Sequence, residues 1–159
     1  MFNTFYCLKI YFSRRLYDNI RKGDDSMHET PIYVRFCETD ALGHTNNTSY
    51  FFYFEESRMK FLNTVTEQSA DAPFQFVVAR ITCDYIQQSY AGDALIARTH
   101  VEKIGSKSFT LRQEVLDSKQ QLVASGECVI VCFSSKAQTS VAIPDELREK
   151  LEQHIIHAR

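Results

Sequence analysis

Between a strand-like stretch ending at Cys37 and an aromatic run opening at Tyr50, the chain carries Asp40, Gly43, His44, Asn46 and Asn47. A carboxylate in such a loop can take a proton from water or attack an electrophilic carbon itself, and loops on a rigid scaffold are where such groups are presented. A helix starting at Asn47, Thr48 or Ser49 would add unpaired N–H groups and a positive dipole end, which favour an oxyanion. Asp40 alone is equally able to cap a turn. Asp40 and His44 supply two metal-ligand types with no third nearby, so no metal is expected. Gly43 lets the loop turn tightly, and His44 and Asn46 are read as shaping it. Glu55 and Glu56 open no second carboxylate site by themselves; facing solvent or pairing with Arg58 or Lys60 accounts for them.

Holding that loop requires an element on each side. Pro31 to Cys37 alternates Ile32, Val34 and Phe36 with other residues, as a short half-buried strand does, and Glu38 to Asn46 reads as loop. About 18 residues without a turn signal favour a helix to about Val65, although Tyr50 to Phe54 alone is equally strand-like. From Val77 the period becomes two. Val77, Ala79, Ile81, Cys83 and Tyr85 are expected on the inner face of a half-buried strand. Turns at Gly92-Asp93, Gly105-Ser106 and Ser118-Lys119 then separate strands over Ala94 to Ile104, Ser108 to Asp117 and Gln121 to Phe133, antiparallel because the connections are short. The last strand is apolar at both parities and is placed inside the sheet with both faces covered. Ile143-Pro144-Asp145 opens a helix from Glu146 to His157, with Leu147, Leu151 and Ile155 on one stripe. The expected class is α+β: a long aromatic helix covered by a curved antiparallel sheet.

Composition narrows the functions available. The 159 residues suit one domain, and 44% hydrophobic with 24% charged residues is globular composition. No segment approaches the roughly 20 apolar residues that span a bilayer, so no membrane insertion is expected. With 18 basic and 20 acidic residues and a net charge of -2, no overall field draws the chain to nucleic acid. The five cysteines are odd in number and form no CxxC pair, which fits reduced, mostly buried thiols and a cytoplasmic setting. Residues 1–26 are expected to be an N-terminal extension, translated as a leader: Met27 precedes the first convincing strand, and codons for Lys22, Gly23 and Asp24 can spell a purine-rich ribosome-binding sequence. Residues 27–159 are expected to form the single domain.

The stretch Val34-Arg-Phe-Cys-Glu-Thr-Asp-Ala-Leu-Gly-His-Thr-Asn-Asn-Thr-Ser-Tyr50, followed by Phe54-Glu-Glu-Ser-Arg58, resembles the hotdog-fold thioesterases of the 4-hydroxybenzoyl-CoA thioesterase family. It is most similar to the branch with an Asp-x-x-Gly-His-x-Asn-Asn loop, here with Thr45 where valine is usual. The resemblance extends over nearly all of residues 31–157. It implies a long helix wrapped by an antiparallel sheet, homodimers with a continuous sheet or tetramers built from them, and active sites at the interface. It implies an acyl-CoA substrate, fatty rather than aromatic by preference, with coenzyme A as part of the substrate and no other cofactor. Asp40 then takes the catalytic aspartate position, as nucleophile or general base. Asn47 takes that of the carbonyl-polarising amide, and Glu56 that of an acidic residue before a small-residue and arginine pair. Gly43, His44, Asn46 and Tyr50 are expected around the substrate, Tyr50 with Phe51, Phe54 and Phe61 as either tunnel wall or ordinary core. Arg80, Lys103 and Lys107 are expected near the coenzyme A phosphates. An acyl-carrier-protein thioesterase and a non-catalytic acyl-binding module are the alternatives.

Overall fold

A computed structural model describes residues 27–66 and 72–156. In chain order these form β1 (His28–Tyr33), a 3-10 turn (Phe36–Glu38), α1 (Ser49–Val65), β2 (Gln75–Ile81), β3 (Asp84–Tyr85), β4 (Ala94–Ile104), β5 (Ser108–Leu116), β6 (Leu122–Ser134), β7 (Thr139–Ser140) and α2 (Asp145–Glu152). The expectations for a leader and for Cys7 fall on residues outside the described ones, as does the expected helix end at His157.

The aromatic run is helical because of its spacing. Tyr50, Tyr53, Phe54, Ser57, Arg58, Phe61, Leu62 and Val65 are the buried positions after Ser49, a sequence of threes and fours that puts all of them on one face. Phe54 and Phe61 are fully buried, and each such ring contributes about 1.5–3 kcal/mol by leaving water. An antiparallel sheet in the order β1-β4-β5-β6-β2 covers that face, with β3 and β7 also paired to β6. Two clusters fill the space between. One joins Phe61, Leu62 and Val65 to Val101, Phe109, Leu111, Ile130 and α2; the other joins Tyr50, Tyr53 and Phe54 to Ile32, Val34, Leu95 and Val115. This is the expected α+β arrangement, and β6 lies inside the sheet as expected.

Four details differ from expectation. β1 runs from His28, which already pairs with Thr99 of β4, and it ends at Tyr33 rather than Cys37, before a turn in which the Glu38 carboxylate accepts from both the Arg35 N–H and its guanidinium at 2.8 Å. Pro31 is tolerated there because β1 is an edge strand. The strand expected from Val77 slips register between Val78 and Arg80, and the bulge reverses the parity expected before it. Phe76, not Val77, packs on the core, and Ile81 and Cys83 do so after it. On β6 only one face is buried: Cys128, Ile130 and Cys132 are buried while Val129, Val131 and Phe133 remain partly exposed. Finally, α2 stops at Glu152, since the chain turns to lay Ile155 beside Val101. Cys37 is exposed, and Cys83, Cys128 and Cys132 are partly or fully buried free thiols.

Candidate active site

Asp40 lies in a five-residue reversal between Thr39 and Thr45, which bridge each other. The Asp40 N–H donates to the His44 carbonyl at 2.9 Å, and the Gly43 N–H returns a bond to the Asp40 carbonyl at 3.0 Å. Gly43 has φ of +81°, where a side chain would be strained. The Asp40 carboxylate is itself part of the turn, with Oδ1 accepting from the Leu42 N–H at 2.8 Å. Its second oxygen has no protein donor among the described residues. His44 shapes the loop: it bridges Tyr90 and meets its ring edge-on at 5.3 Å.

The loop is fastened to the start of α1 from below. Asn46 donates its N–H to the Glu38 carbonyl, and its Oδ1 accepts from both the N–H and hydroxyl of Thr48. Asn46 therefore caps the first turn, not Thr48, whose side chain makes no capping bond. The Asn47 carbonyl accepts from the Tyr85 hydroxyl at 3.0 Å, whereas the Asn47 N–H has no hydrogen-bond partner among the described residues. A free N–H at a helix start can polarise a carbonyl, and a carboxylate can attack it or activate water.

Two supports escaped sequence reading. Ser89, only 1% exposed, places its hydroxyl 2.6 Å from that of Thr45 and 2.8 Å from that of Tyr50, and its carbonyl accepts from the Thr45 N–H. Nothing in Gln87-Gln88-Ser89 marks it apart from an ordinary polar loop. Glu38 is the other, and the Arg35/Glu38 spacing was a signal for it. Burial opposes ionisation of its carboxyl, but hydrogen bonds from the Arg35 N–H, the Arg35 guanidinium and the Tyr53 hydroxyl outweigh that and hold the pKa below the ordinary value. Burial raises the Tyr53 pKa, and so does its bond to Glu38.

Of the residues singled out from sequence, Asp40, Gly43, His44, Asn46, Asn47 and Tyr50 belong to this assembly. Tyr50, Phe54 and Phe61 are core in the single chain, and Phe51 is half-buried. Glu56 is exposed on α1, pairs with Lys60 at 2.6 Å and is near enough to Arg35 to favour its charged form. The basic residues do not converge. Arg80 and Lys103 lie on one row across the sheet, through Val129 and Thr110, three strand spacings or about 14 Å apart. Lys107 donates to the Ser140 carbonyl. A pocket of ≈ 180 Å³ is lined by Gln87, Gln88, Ser89, Tyr90, Asp117 and Val123 among others, but by neither Asp40 nor Asn47. No helix is long and apolar enough to cross a membrane, and no cluster of three or more metal-ligating side chains occurs, among the described residues.

Residues 34–151 match the family model of the thioesterase-like superfamily. The long-chain acyl-CoA thioesterase FadM of Escherichia coli K12 is 34% identical over 130 residues, covering 80% of this chain and 98% of the relative. Among solved structures, a predicted thioesterase from Bacillus stearothermophilus superposes with a TM-score of 0.77 at 32% identity, over 84% of this chain and 99% of that one. The probable thioesterase YbaW of Escherichia coli superposes with a TM-score of 0.69 at 29% identity, over 81% and 99% respectively.

Proposed function

The chain belongs to the thioesterase-like superfamily and has its hotdog fold, and on that premise we propose that it hydrolyses fatty acyl-CoA, with Asp40 as the catalytic carboxylate and the Asn47 N–H polarising the thioester carbonyl. The observation that carries this reading is that one loop holds both a partly exposed Asp40 carboxylate and, at the start of α1, an unused N–H. In hydrolysis the carbonyl carbon gains an oxygen, from water deprotonated by Asp40 or from Asp40 itself with water following. The C–S bond breaks, and coenzyme A leaves as a thiolate that takes up the proton. Charge on the carbonyl oxygen is met by the N–H and the helix dipole. The likeness to a long-chain acyl-CoA thioesterase supports the fatty acyl group, and the Asp-x-x-Gly-His-x-Asn-Asn loop supports placement near the 4-hydroxybenzoyl-CoA branch. The free thiols fit a reducing, cytoplasmic setting.

The functional unit in this proposal is a homodimer, the tetramer being its further pairing. β2 ends the sheet, with Val77 44% and Val78 43% exposed on opposite faces. An apolar edge strand with open backbone groups pairs readily with another strand, and a two-fold axis there joins two sheets into one.

Free-thiol release from acyl-CoA esters of graded chain length and a benzoyl ester tests the reading, with wild type and Asp40→Asn compared. Wild-type turnover should fall about a thousand-fold, about 4 kcal/mol of transition-state stabilisation, in a folded Asp40→Asn protein. An undiminished rate in that variant would remove Asp40 from the chemistry. Turnover only on acyl-carrier-protein esters would move the substrate, and turnover on neither would leave an acyl-binding module.

A further inference from the structure

Two peptide groups meet at the Cα of Asn47. The first, which carries the Asn47 N–H, is held at its carbonyl end, where Asn46 accepts from the Ser49 N–H at 2.9 Å. The second is held at both ends: its N–H, that of Thr48, donates to the Asn46 Oδ1 at 2.9 Å, and its carbonyl accepts from the Tyr85 hydroxyl at 3.0 Å. Asn47 is exposed, so hydrogen bonds rather than packing hold it. The Ser49 and Asn46 bonds lie within four consecutive residues and move with them. On the loop side these residues are anchored by the Glu38 carbonyl, which accepts from the Asn46 N–H and the Ser49 hydroxyl. The anchor on the sheet side is Tyr85, 38 residues further along the chain.

Tyr85 is well fixed for that task. It pairs with Ala124 of β6, and Ile86 and Gln87 after it both donate to the Val123 carbonyl. Its ring meets that of buried Tyr50 edge-on at 5.5 Å. Burial raises the hydroxyl pKa, so the group stays a protonated donor at neutral pH. The hydroxyl also meets the Cys83 thiol, a weak acceptor, which leaves the Asn47 carbonyl as the stronger partner. Yet Tyr85 is 49% exposed, and a ring half in water adds little to the core. What the residue delivers is the hydroxyl.

We infer that Tyr85 is a positioning residue for thioester cleavage, holding the Asn47 N–H at the angle from which it meets the carbonyl oxygen. The inference rests on the role proposed above for that N–H. Without the Tyr85 bond the second peptide group keeps a restraint at one end only, the Asn47 Cα shifts, and the N–H shifts with it. A donor fixed beforehand need not be reoriented as charge develops on the oxygen, so its loosening slows cleavage without weakening the hold on coenzyme A.

Tyr85→Phe keeps the ring against Tyr50 and removes one oxygen. In hydrolysis of acyl-CoA, kcat should fall about tenfold at an unchanged KM. The thermal midpoint should stay within about one degree of wild type, since water replaces the hydroxyl on an exposed carbonyl. A second measurement reads the N–H itself. A trifluoromethyl-ketone analogue of acyl-CoA, whose hydrated carbonyl resembles the tetrahedral intermediate, should bind the variant about tenfold more weakly. A CoA thioether with methylene in place of the carbonyl should bind both proteins alike. Equal losses for the two analogues, or a raised KM at an unchanged kcat, make Tyr85 a substrate contact and overturn the inference. A fall in kcat together with a marked fall in the midpoint assigns the residue to the fold and overturns it as well. Wild-type kcat in Tyr85→Phe overturns it but leaves the proposed function standing if Asp40→Asn is inactive. A wild type that turns over no thioester overturns both.

Discussion

At the start of α1 the polar groups are bound within one chain: Asp40 to Leu42, Asn46 to Glu38 and Thr48, Thr45 and Tyr50 to Ser89. Along the β2 edge, the chain leaves Val77 and Val78 half-exposed. The first region is held by contacts made within some 50 residues of sequence, and among the groups it leaves unspent are the Asn47 N–H and one Asp40 carboxylate oxygen. The second is unfinished as a single chain. Chemistry needs groups fixed before substrate arrives, whereas an assembly surface is completed on meeting its partner.

The largest effect should come from breaking the place where the two regions join. A Cβ at Gly126 would sit 2.1 Å from the Thr82 carbonyl oxygen and 2.9 Å from the Phe54 ring. Gly126→Ala must therefore push β6 from both the β2/β3 junction and α1. Thermal unfolding should show a loss of about 3 kcal/mol, with activity and assembly lost together. A smaller and more selective break is Ser89→Ala. It leaves the buried hydroxyls of Thr45 and Tyr50 without their shared partner, a cost of about 1–3 kcal/mol. Thioester turnover should fall about tenfold through a loosened loop, while the dimer Kd stays unchanged; a shift in Kd instead would mean the two regions are not separable.

The smallest effect is a pH dependence confined to the closed end. The Glu38 pKa is depressed in the folded protein, so its contribution to stability is fully present above the unfolded value near 4.5. That contribution is lost as pH falls through the lower folded value. Urea unfolding between pH 6 and pH 3 should show wild type losing more stability over the acid end of that range than Glu38→Gln does.

How much of this could be read from sequence follows the same division. The helix was legible from its length, about 18 residues without a turn signal, whereas Tyr50 to Phe54 alone fitted a strand equally well. The loop was legible because its turn chemistry is local: Gly43 must be glycine where φ is positive, and Asp40 and Asn46 bond within a few residues of themselves. The parity of β2 was not. Its bulge at Ala79 falls where Val78 pairs with Ile130 and Arg80 with Val129, partners about 50 residues away in sequence, so no local pattern marks it. Ser89 was hidden for the same reason, since its worth lies in two hydroxyls brought to it from positions 45 and 50. The burial of Arg58 next to an exposed Glu56 was equally invisible, because adjacent charged residues on a helix look alike until the sheet chooses a side. The failure of Arg80, Lys103 and Lys107 to gather reflects strand geometry that spacing along the chain does not encode.

The bond from Tyr85 to the Asn47 carbonyl has one more consequence. Tyr85 stands on β3, which pairs with β6 next to β2, and its hydroxyl donates to the carbonyl of Asn47, whose N–H is the proposed carbonyl-polarising group. The tyrosine thus works as a tie rod between the rim and the catalytic corner. If the chain pairs at that edge as proposed, a tilt of the rim would turn the Asn47 N–H through the same phenol.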